Sequence, residues 1–256
     1  MTDTPTPDDP PLTPPQEHRI RYHQELEDLR KDVLRLGALV CETVPRGTEV
    51  LLSGELAEAQ RLIDDDDLID RLSIEIEERA YTIIARQAPM ASELRQLITI
   101  TKLVAELERS SDLMVNVTKA ARRMYGSPLS PQIRGVAAQM AKEAHRLLRL
   151  SMDAFADNNE ALAGALDDID DQLDQLNRDM VEAIFADQEG GQITLQAAVQ
   201  LALVARYYER IGDHAVNIGQ RVTYMVTGWL PEHTGALRAE RREQYAIEAE
   251  RPDPGN

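Results

Sequence analysis

The 256-residue chain has a single cysteine and few aromatic residues. Cys41 has no second thiol to pair with, so an intrachain disulfide is excluded and we expect the reducing environment of the cytoplasm. Aromatic residues make up 4% of the sequence, and aliphatic residues therefore supply most of its 43% hydrophobic content. A core built from Leu, Ile, Val, Ala and Met favours helices over a β-sandwich.

Basic residues are also in short supply. The chain has 28 Lys and Arg against 45 Asp and Glu, which gives a formal net charge of −17. Affinity for nucleic acid comes largely from Lys and Arg that displace counterions from phosphates, so we expect no direct binding to nucleic acid. The same negative charge opposes binding to anionic lipid.

Long apolar runs are missing as well. The longest, ITLQAAVQLALVA (193–205), is interrupted by two glutamines and is shorter than the roughly 20 apolar residues that a membrane span needs. Residues 1–15 are rich in proline, and we predict a disordered tail there. They have no apolar segment of the kind found in secretory signals, so we expect no such signal. The mostly polar residues 230–256 are predicted to form a second tail.

Apolar residues recur at helical spacing in six long segments, and no strand pattern with hairpin turns lies between them. The turn signals that separate the segments are Ser53-Gly54, Gln87-Ala88-Pro89, Gly126-Ser127-Pro128, Asn158-Asn159 and Glu189-Gly190-Gly191. Long helices joined by short turns lie antiparallel. We therefore predict an all-α fold, a tandem repeat of two antiparallel three-helix bundles over residues 16–126 and 127–229.

Two prolines carry local predictions about these helices. Pro45 lies inside the first helical segment and is expected to kink or briefly break it, because proline cannot donate a backbone hydrogen bond. Pro131 follows Ser130, and this pair is expected to cap and begin the fourth helix.

The two halves also repeat in their residues. ERSSDLMVN (108–116) and ERIGDHAVN (209–217) are identical at five of nine positions when one is shifted by 101 residues. A shift of 104 places Asp66, Asp67 and Asp70 on Asp170, Asp171 and Asp174. A shared core periodicity aligns apolar residues, but it does not align acids with acids. The match indicates a duplication with selection on the acids.

The acids are spaced four residues apart, so each set forms a row on one helix face. The rows are Glu108, Asp112 and Asn116; Glu209, Asp213 and Asn217; Asp66 and Asp70; and Asp170 and Asp174. Two carboxylates about 4 Å apart repel by roughly 4 kcal/mol at an effective dielectric near 20. Facing rows would therefore need raised pKa values or a bound cation. We predict that these ten residues bind a metal ion; oxygen ligands suit Mg, Mn, Fe or Zn.

Other interpretations stay open at this point. The acids could form a solvated or salt-bridged face, with Arg109 and Arg210 as the obvious partners. The chain could be a purely structural helical scaffold. It could also be a carboxylate-bridged metal oxidase, although it lacks the Glu-x-x-His motif of ferritin-like di-iron enzymes. No catalytic constellation is found, and we expect a protein that is not an enzyme.

Three segments resemble motifs of the PhoU family of phosphate-signalling proteins: ERIGDHAVNI (209–218), ARQAPMASELR (85–95) and HQELEDLRKDVLRLG (23–37). The resemblance covers about Gln16 to Gly228. It implies two three-helix bundles that bind metal clusters through Glu/Asp-x-x-x-Asp pairs. Carried onto this sequence, the first site would be Asp66 and Asp70 with Glu108 and Asp112, and the second Asp170 and Asp174 with Glu209 and Asp213.

The resemblance also implies a function. Such proteins are cytoplasmic and often homodimeric, and they act with a phosphate ABC transporter, here expected at its ATPase subunit, and with a phosphate-sensing histidine kinase. They repress the phosphate-starvation response when phosphate is plentiful. The sequence departs from the family pattern at Ser110-Ser111, where the second repeat has Ile211-Gly212. We therefore expect the first site to differ from the second in helix approach or cluster size.

Overall fold

A computed structural model describes residues 14–229 of the chain. The two predicted tails, 1–15 and 230–256, lie outside these residues except for Pro14 and Pro15, which begin the first helix. The helices are α1 Pro14–Ser53, α2 Leu56–Gln87, α3 Ser92–Arg123, α4 Pro131–Asp157, α5 Glu160–Glu189 and α6 Leu195–Thr227. No strand occurs in this part of the chain, so the predicted all-α class is confirmed.

The helices form two bundles that also contact each other. Helices α1, α2 and α3 are in mutual contact, as are α4, α5 and α6. Helix α3 packs along α6, and α1 packs against α4, so the first three helices and the last three share a broad interface. The buried apolar side chains of both bundles form one continuous core.

Short polar segments start and end the helices. The side chain of Ser130 accepts a hydrogen bond from the backbone N–H of Ile133 at 3.2 Å, and Pro131 is the first residue of α4. The predicted cap at this position is therefore confirmed. Asn159 caps α5 in the same way, accepting from the N–H of Leu162 at 3.0 Å. Asn158, just before it, takes a left-handed conformation with φ of 51° that reverses the chain.

We predicted a kink or a brief break at Pro45, and the break is wrong, because α1 continues through this residue from Pro14 to Ser53. The side chains of Val44 and Val50 are almost fully buried on either side of Pro45. Packing of these residues against the rest of the core holds the helix together despite the missing backbone hydrogen bond.

Polar contacts as well as apolar packing join the two bundles. The hydroxyl of Thr48 in α1 lies 2.7 Å from the hydroxyl of Tyr208 in α6, and both groups are buried. Between α3 and α6, Ser110 Oγ lies 3.0 Å from His214 Nδ1 in the core. Among residues 14–229, none of the helices combines the length and the apolar character that crossing a membrane requires.

Candidate metal centres

The structure brings the predicted carboxylates together in two groups. The first centre lies between α2 and α3 and consists of Asp66, Asp70, Glu108 and Asp112. The second centre lies between α5 and α6 and consists of Asp170, Asp174, Glu209 and Asp213. Burial, and then the charges of neighbouring carboxylates, raises the pKa values of Asp66, Asp70 and Glu108 in the first centre and of Asp170 and Asp213 in the second. The grouping that the family resemblance implied therefore matches the arrangement of the helices.

In the first centre, Asp66 has a hydrogen-bond partner. Ser111 Oγ donates to Asp66 Oδ1 at 2.6 Å, and the serine itself is buried. Burial raises the pKa of Asp66, and the negative charges of Asp70 and Asp112 raise it further. The hydrogen bond from Ser111 acts in the opposite direction, because it stabilises the ionised carboxylate.

A cavity of about 290 Å³ opens beside the first centre, lined by Asp70, Glu108 and Ser73 among others. Burial, followed by the charges of Asp112 and Asp70, raises the pKa of Glu108. Ser73 is 6% exposed, and its hydroxyl has no hydrogen-bond partner. A buried hydroxyl without a partner costs free energy, and an ion or ligand in the cavity would offer it one.

The second centre differs at the position that matches Asp66. The buried Oδ1 of Asp170 has no hydrogen-bond partner. Burial, with the charges of Asp174 and Asp213 next in effect, raises the pKa of Asp170 to about 7. The metal-free chain therefore holds a carboxyl group whose ionised form is poorly stabilised, and a cation would stabilise that form.

Gly212 makes room for Asp170. A Cβ atom on residue 212 would lie 2.2 Å from Asp170 Oδ1 and 2.7 Å from Leu173 Cδ2, both far inside van der Waals contact. Any larger residue here would push the α5 side chains aside. Gly212 is thus the counterpart of Ser111, and it leaves Asp170 close to the α6 backbone without a hydroxyl to bond to.

Glu209 is held by two neighbours that the sequence did not single out. Asn177 Nδ2 in α5 donates to Glu209 Oε2 at 3.0 Å. The guanidinium of Arg206, three residues before Glu209 on α6, pairs with its other oxygen. Of the two expected arginine partners, Arg109 instead contacts Glu106 at 3.7 Å. The salt-bridged interpretation thus applies to Glu209 with a different arginine.

The two predicted asparagine ligands are half-buried near the centres. Asn217 Nδ2 lies 3.5 Å from Glu106 Oε2, across the interface between α6 and α3. This contact turns its amide group toward the other bundle. Asn116, the matching residue of the first repeat, lies on α3. Metal binding by these two residues stays a prediction.

The chemistry of the two centres fits a hard divalent cation. All their side-chain donors are oxygens, which suit magnesium, manganese, iron or zinc with carboxylate ligation. Ser73 in the first centre and Asp170 in the second each have a buried oxygen that lacks a partner. In the part of the chain that the structure describes, no three or more His, Cys, Asp or Glu side chains already stand in position to hold an ion.

The sequence carried a signal for one of the overlooked residues. Asn177 lies 104 residues after Ser73, the same shift that aligns Asp66 with Asp170. Both lie beside the glutamate of their centre. Extending the repeat alignment three residues beyond the last aspartate would have revealed this pair. Arg206 gave no such signal, because arginines are common on exposed helix faces.

Comparison with known families also finds two repeats in the chain. The PhoU domain model matches it twice, at residues 33–121 and 137–222. The first match covers most of α1 to α3 and the second most of α4 to α6. The duplication inferred from the acidic motifs therefore coincides with two copies of a known domain.

Individual proteins match over most of their length. The phosphate-specific transport system accessory protein PhoU homolog 1 of Mycobacterium tuberculosis is 33% identical over 214 residues, which is 83% of this chain and 96% of the relative. Its Thermotoga maritima counterpart is 31% identical over 209 residues, 82% of this chain and 90% of the relative.

Solved structures show the same fold. The crystal structure of PhoU from Pseudomonas aeruginosa superposes with a TM-score of 0.76 at 29% identity, covering 81% of this chain and 100% of that one. The phosphate transport system regulatory protein PhoU from Streptococcus pneumoniae gives 0.74 at 28% identity, covering 82% and 98%.

Proposed function

The chain belongs to the PhoU family, and on this basis we propose that it regulates phosphate uptake and the phosphate-starvation response. The observation that carries the proposal is the extent of the match. Both repeats fit the family domain, and relatives named as accessory proteins of the phosphate-specific transport system align over nearly their whole length. A shared piece of helical scaffold would not account for so complete an alignment.

In more detail, the chain acts as an adaptor and not as an enzyme. It contacts the ATPase subunit of the phosphate ABC transporter and the phosphate-sensing histidine kinase, and it represses the response when phosphate is plentiful. It works in the cytoplasm as a homodimer and reaches the membrane only through these partners. The relatives are named as accessory and regulatory proteins of phosphate transport, which supports this role.

The two centres bind divalent cations as part of this role. Support comes from the convergence of four carboxylates in each centre and from the partnerless oxygens of Ser73 and Asp170. Magnesium, manganese, iron and zinc are all compatible with the ligands. A bound cation would hold α2 to α3 and α5 to α6, and so would stabilise the surfaces that partner proteins contact.

The test is phosphatase activity in a strain that lacks the gene, grown with abundant phosphate. We expect high activity in the deletion strain and low activity when the wild-type gene is restored. A version with Glu209→Ala and Asp213→Ala should fail to restore repression. The matched control is Glu182→Ala with Glu189→Ala, which removes two exposed acids from the same bundle outside the second centre.

The alternatives predict different results. Activity that stays low in the deletion strain would overturn the regulatory role. Repression by the Glu209 and Asp213 variant would support a helical scaffold whose acids have no function. Oxygen consumption by the iron-loaded protein would support the metal oxidase.

A further inference from the structure

We propose that residues Ser111 and Gly212 make the two centres unequal, so that the second centre binds a divalent cation more tightly than the first. The inference rests on the proposed metal binding and adds which centre fills first and why. It concerns matching positions of the two repeats, 111 and 212, which are 101 residues apart in the sequence.

In the first centre, Ser111 stabilises the Asp66 carboxylate before any cation binds. Its hydroxyl donates to Asp66 Oδ1 at 2.6 Å, and the bond is shielded because Ser111 is 1% exposed. This hydrogen bond already stabilises the ionised Asp66 before a cation binds, so a cation adds less stabilisation here than it would at a carboxylate without a partner. The metal-free state of the first centre is therefore stabilised, and a stabilised free state means weaker binding.

In the second centre no side chain donates a hydrogen bond to Asp170 Oδ1. Gly212 has no side chain to donate, and Asp170 Oδ1 is buried without a partner. The buried oxygen without a partner raises the free energy of the metal-free state, and a bound cation would give that oxygen a partner. The same comparison of free states thus predicts tighter binding at the second centre.

The first centre keeps the means to bind a cation weakly. Asp70 and Glu108 line its cavity of about 290 Å³ together with the partnerless hydroxyl of Ser73. We therefore expect two affinities and not a single occupied centre. Loss of one strong charge-assisted hydrogen bond corresponds to about a tenfold difference in affinity.

The opposite effect of Ser111 on metal affinity is also physically possible, and the direction of the change in Ser111→Ala distinguishes the two effects. Hydrogen bonds to ligating carboxylates often orient them and strengthen metal binding. If Ser111 acted in that way, removing its hydroxyl would weaken the first centre. The proposal requires that removing it strengthens the first centre.

The experiment measures Mn²⁺ binding to the full-length chain by equilibrium dialysis, with electron paramagnetic resonance reporting free and bound ion. Wild type should show a tight and a weak class of site. Asp170→Asn should remove the tight class and Asp66→Asn the weak one, which assigns each class to a centre. Neither readout depends on regulatory activity.

Ser111→Ala is the decisive variant, because it keeps the Cβ atom and removes only the hydroxyl. It should tighten the weak class about tenfold, bringing it close to the tight class. Ser110→Ala is the matched control, since Ser110 contacts His214 and a backbone carbonyl and touches no carboxylate of the centre. It should leave both classes unchanged.

The outcomes separate the inference from the proposed function. A weak class that is unchanged or weakened in Ser111→Ala overturns the inference while leaving metal binding in place. A single class of sites with equal affinity in wild type also overturns the inference. Absence of saturable Mn²⁺ binding in wild type overturns the proposed metal binding itself. Melting curves of each variant show whether a weakened site reflects local change or loss of the fold.

Discussion

The hydroxyl groups of Thr48 and Tyr208 lie 2.7 Å apart inside the core, and they join α1 of the first bundle to α6 of the second. The side chain of Tyr208 is fully buried. Thr48 Oγ1 donates to the carbonyl of Val44 at 2.7 Å, so the tyrosine hydroxyl is the donor in the contact between the two. Because the tyrosine hydroxyl donates and the threonine hydroxyl accepts, removing one of them destabilises the chain by a different amount from removing the other.

We predict that Thr48→Val destabilises the chain more than Tyr208→Phe. The valine leaves the buried tyrosine hydroxyl without an acceptor, at a cost of about 2 kcal/mol, whereas the phenylalanine removes one hydrogen bond at a cost of about 1 kcal/mol. Urea unfolding measures both. The double variant should be about as stable as Tyr208→Phe, and a simple addition of the two costs would contradict the assigned donor.

Two glycines in the second bundle should respond to alanine in opposite ways. A Cβ atom on Gly219 would lie 2.7 Å from the carbonyl oxygen of Ala163, which belongs to the α5 backbone and cannot move aside. Gly219→Ala should cost about 2 kcal/mol despite the better helix propensity of alanine. Gly164 has open space around it, and Gly164→Ala should gain about 0.5–1 kcal/mol. Equal effects in urea unfolding would contradict the close approach at Gly219.

The metal-free chain should become more stable when Asp170 is replaced by asparagine. Asp170 keeps its proton up to a pKa of about 7 in the folded chain, against an ordinary value of 3.8. Unfolding between these pH values releases a proton from Asp170, so the contribution of this residue to stability falls as the pH rises from about 4 to 7 and is level above. The gain from Asp170→Asn should grow over the same range to about 1–2 kcal/mol, after allowance for solvent screening.

Asp66→Asn is the control for this prediction. Ser111 already stabilises the Asp66 carboxylate, so its replacement should bring a smaller gain at pH 8. Thermal melts with a chelator present, at pH 5 and pH 8, measure both variants. A gain from Asp170→Asn that is larger at pH 5 than at pH 8 would contradict the raised pKa.

Cys41 should react slowly with thiol reagents while the chain is folded. Burial, and then the charges of Asp153 and Glu42, raises the pKa of the thiol to about 12. Only the thiolate reacts, so labelling at pH 8 should be at least about 100-fold slower than in urea and should rise with pH beyond pH 9. Absorbance of a released aromatic thiol follows the reaction, and Cys41→Ser gives the background. Fast labelling, or a plateau near pH 9 in the folded chain, would exclude the buried position.

The sequence predicted those parts of the structure that depend on spacing along one helix. Acids four residues apart share a face whatever surrounds them, and the family resemblance implied that the rows on neighbouring helices meet. The hydrogen-bond and ion-pair partners of individual side chains could not be predicted. The pairing of Arg206 with Glu209, and the turn of Asn217 toward Glu106, depend on side-chain conformations that spacing does not determine.

The contact between α3 and α6 was not predicted, although the residues of α3 carried a signal for it. Leu113, Met114 and Val115 are consecutive and all buried, which is typical of a helix covered on more than one side. A three-helix bundle alone covers one stripe of each helix. A search of the sequence for consecutive apolar residues, beyond a single periodic stripe, would have indicated that the two bundles pack together. The break predicted at Pro45 did not occur for a related reason, because packing outweighed the helix-breaking tendency of proline.

The packing of α3 against α6 has a consequence for the origin of the chain. These are equivalent helices of the two repeats, each the third of its bundle. Two copies of one repeat that associate through the same helix form a symmetric dimer, and that dimer resembles the present arrangement. Fusion of the two genes would have made the association independent of protein concentration. Either half expressed alone would expose the apolar face of its third helix and would need a second copy to cover it.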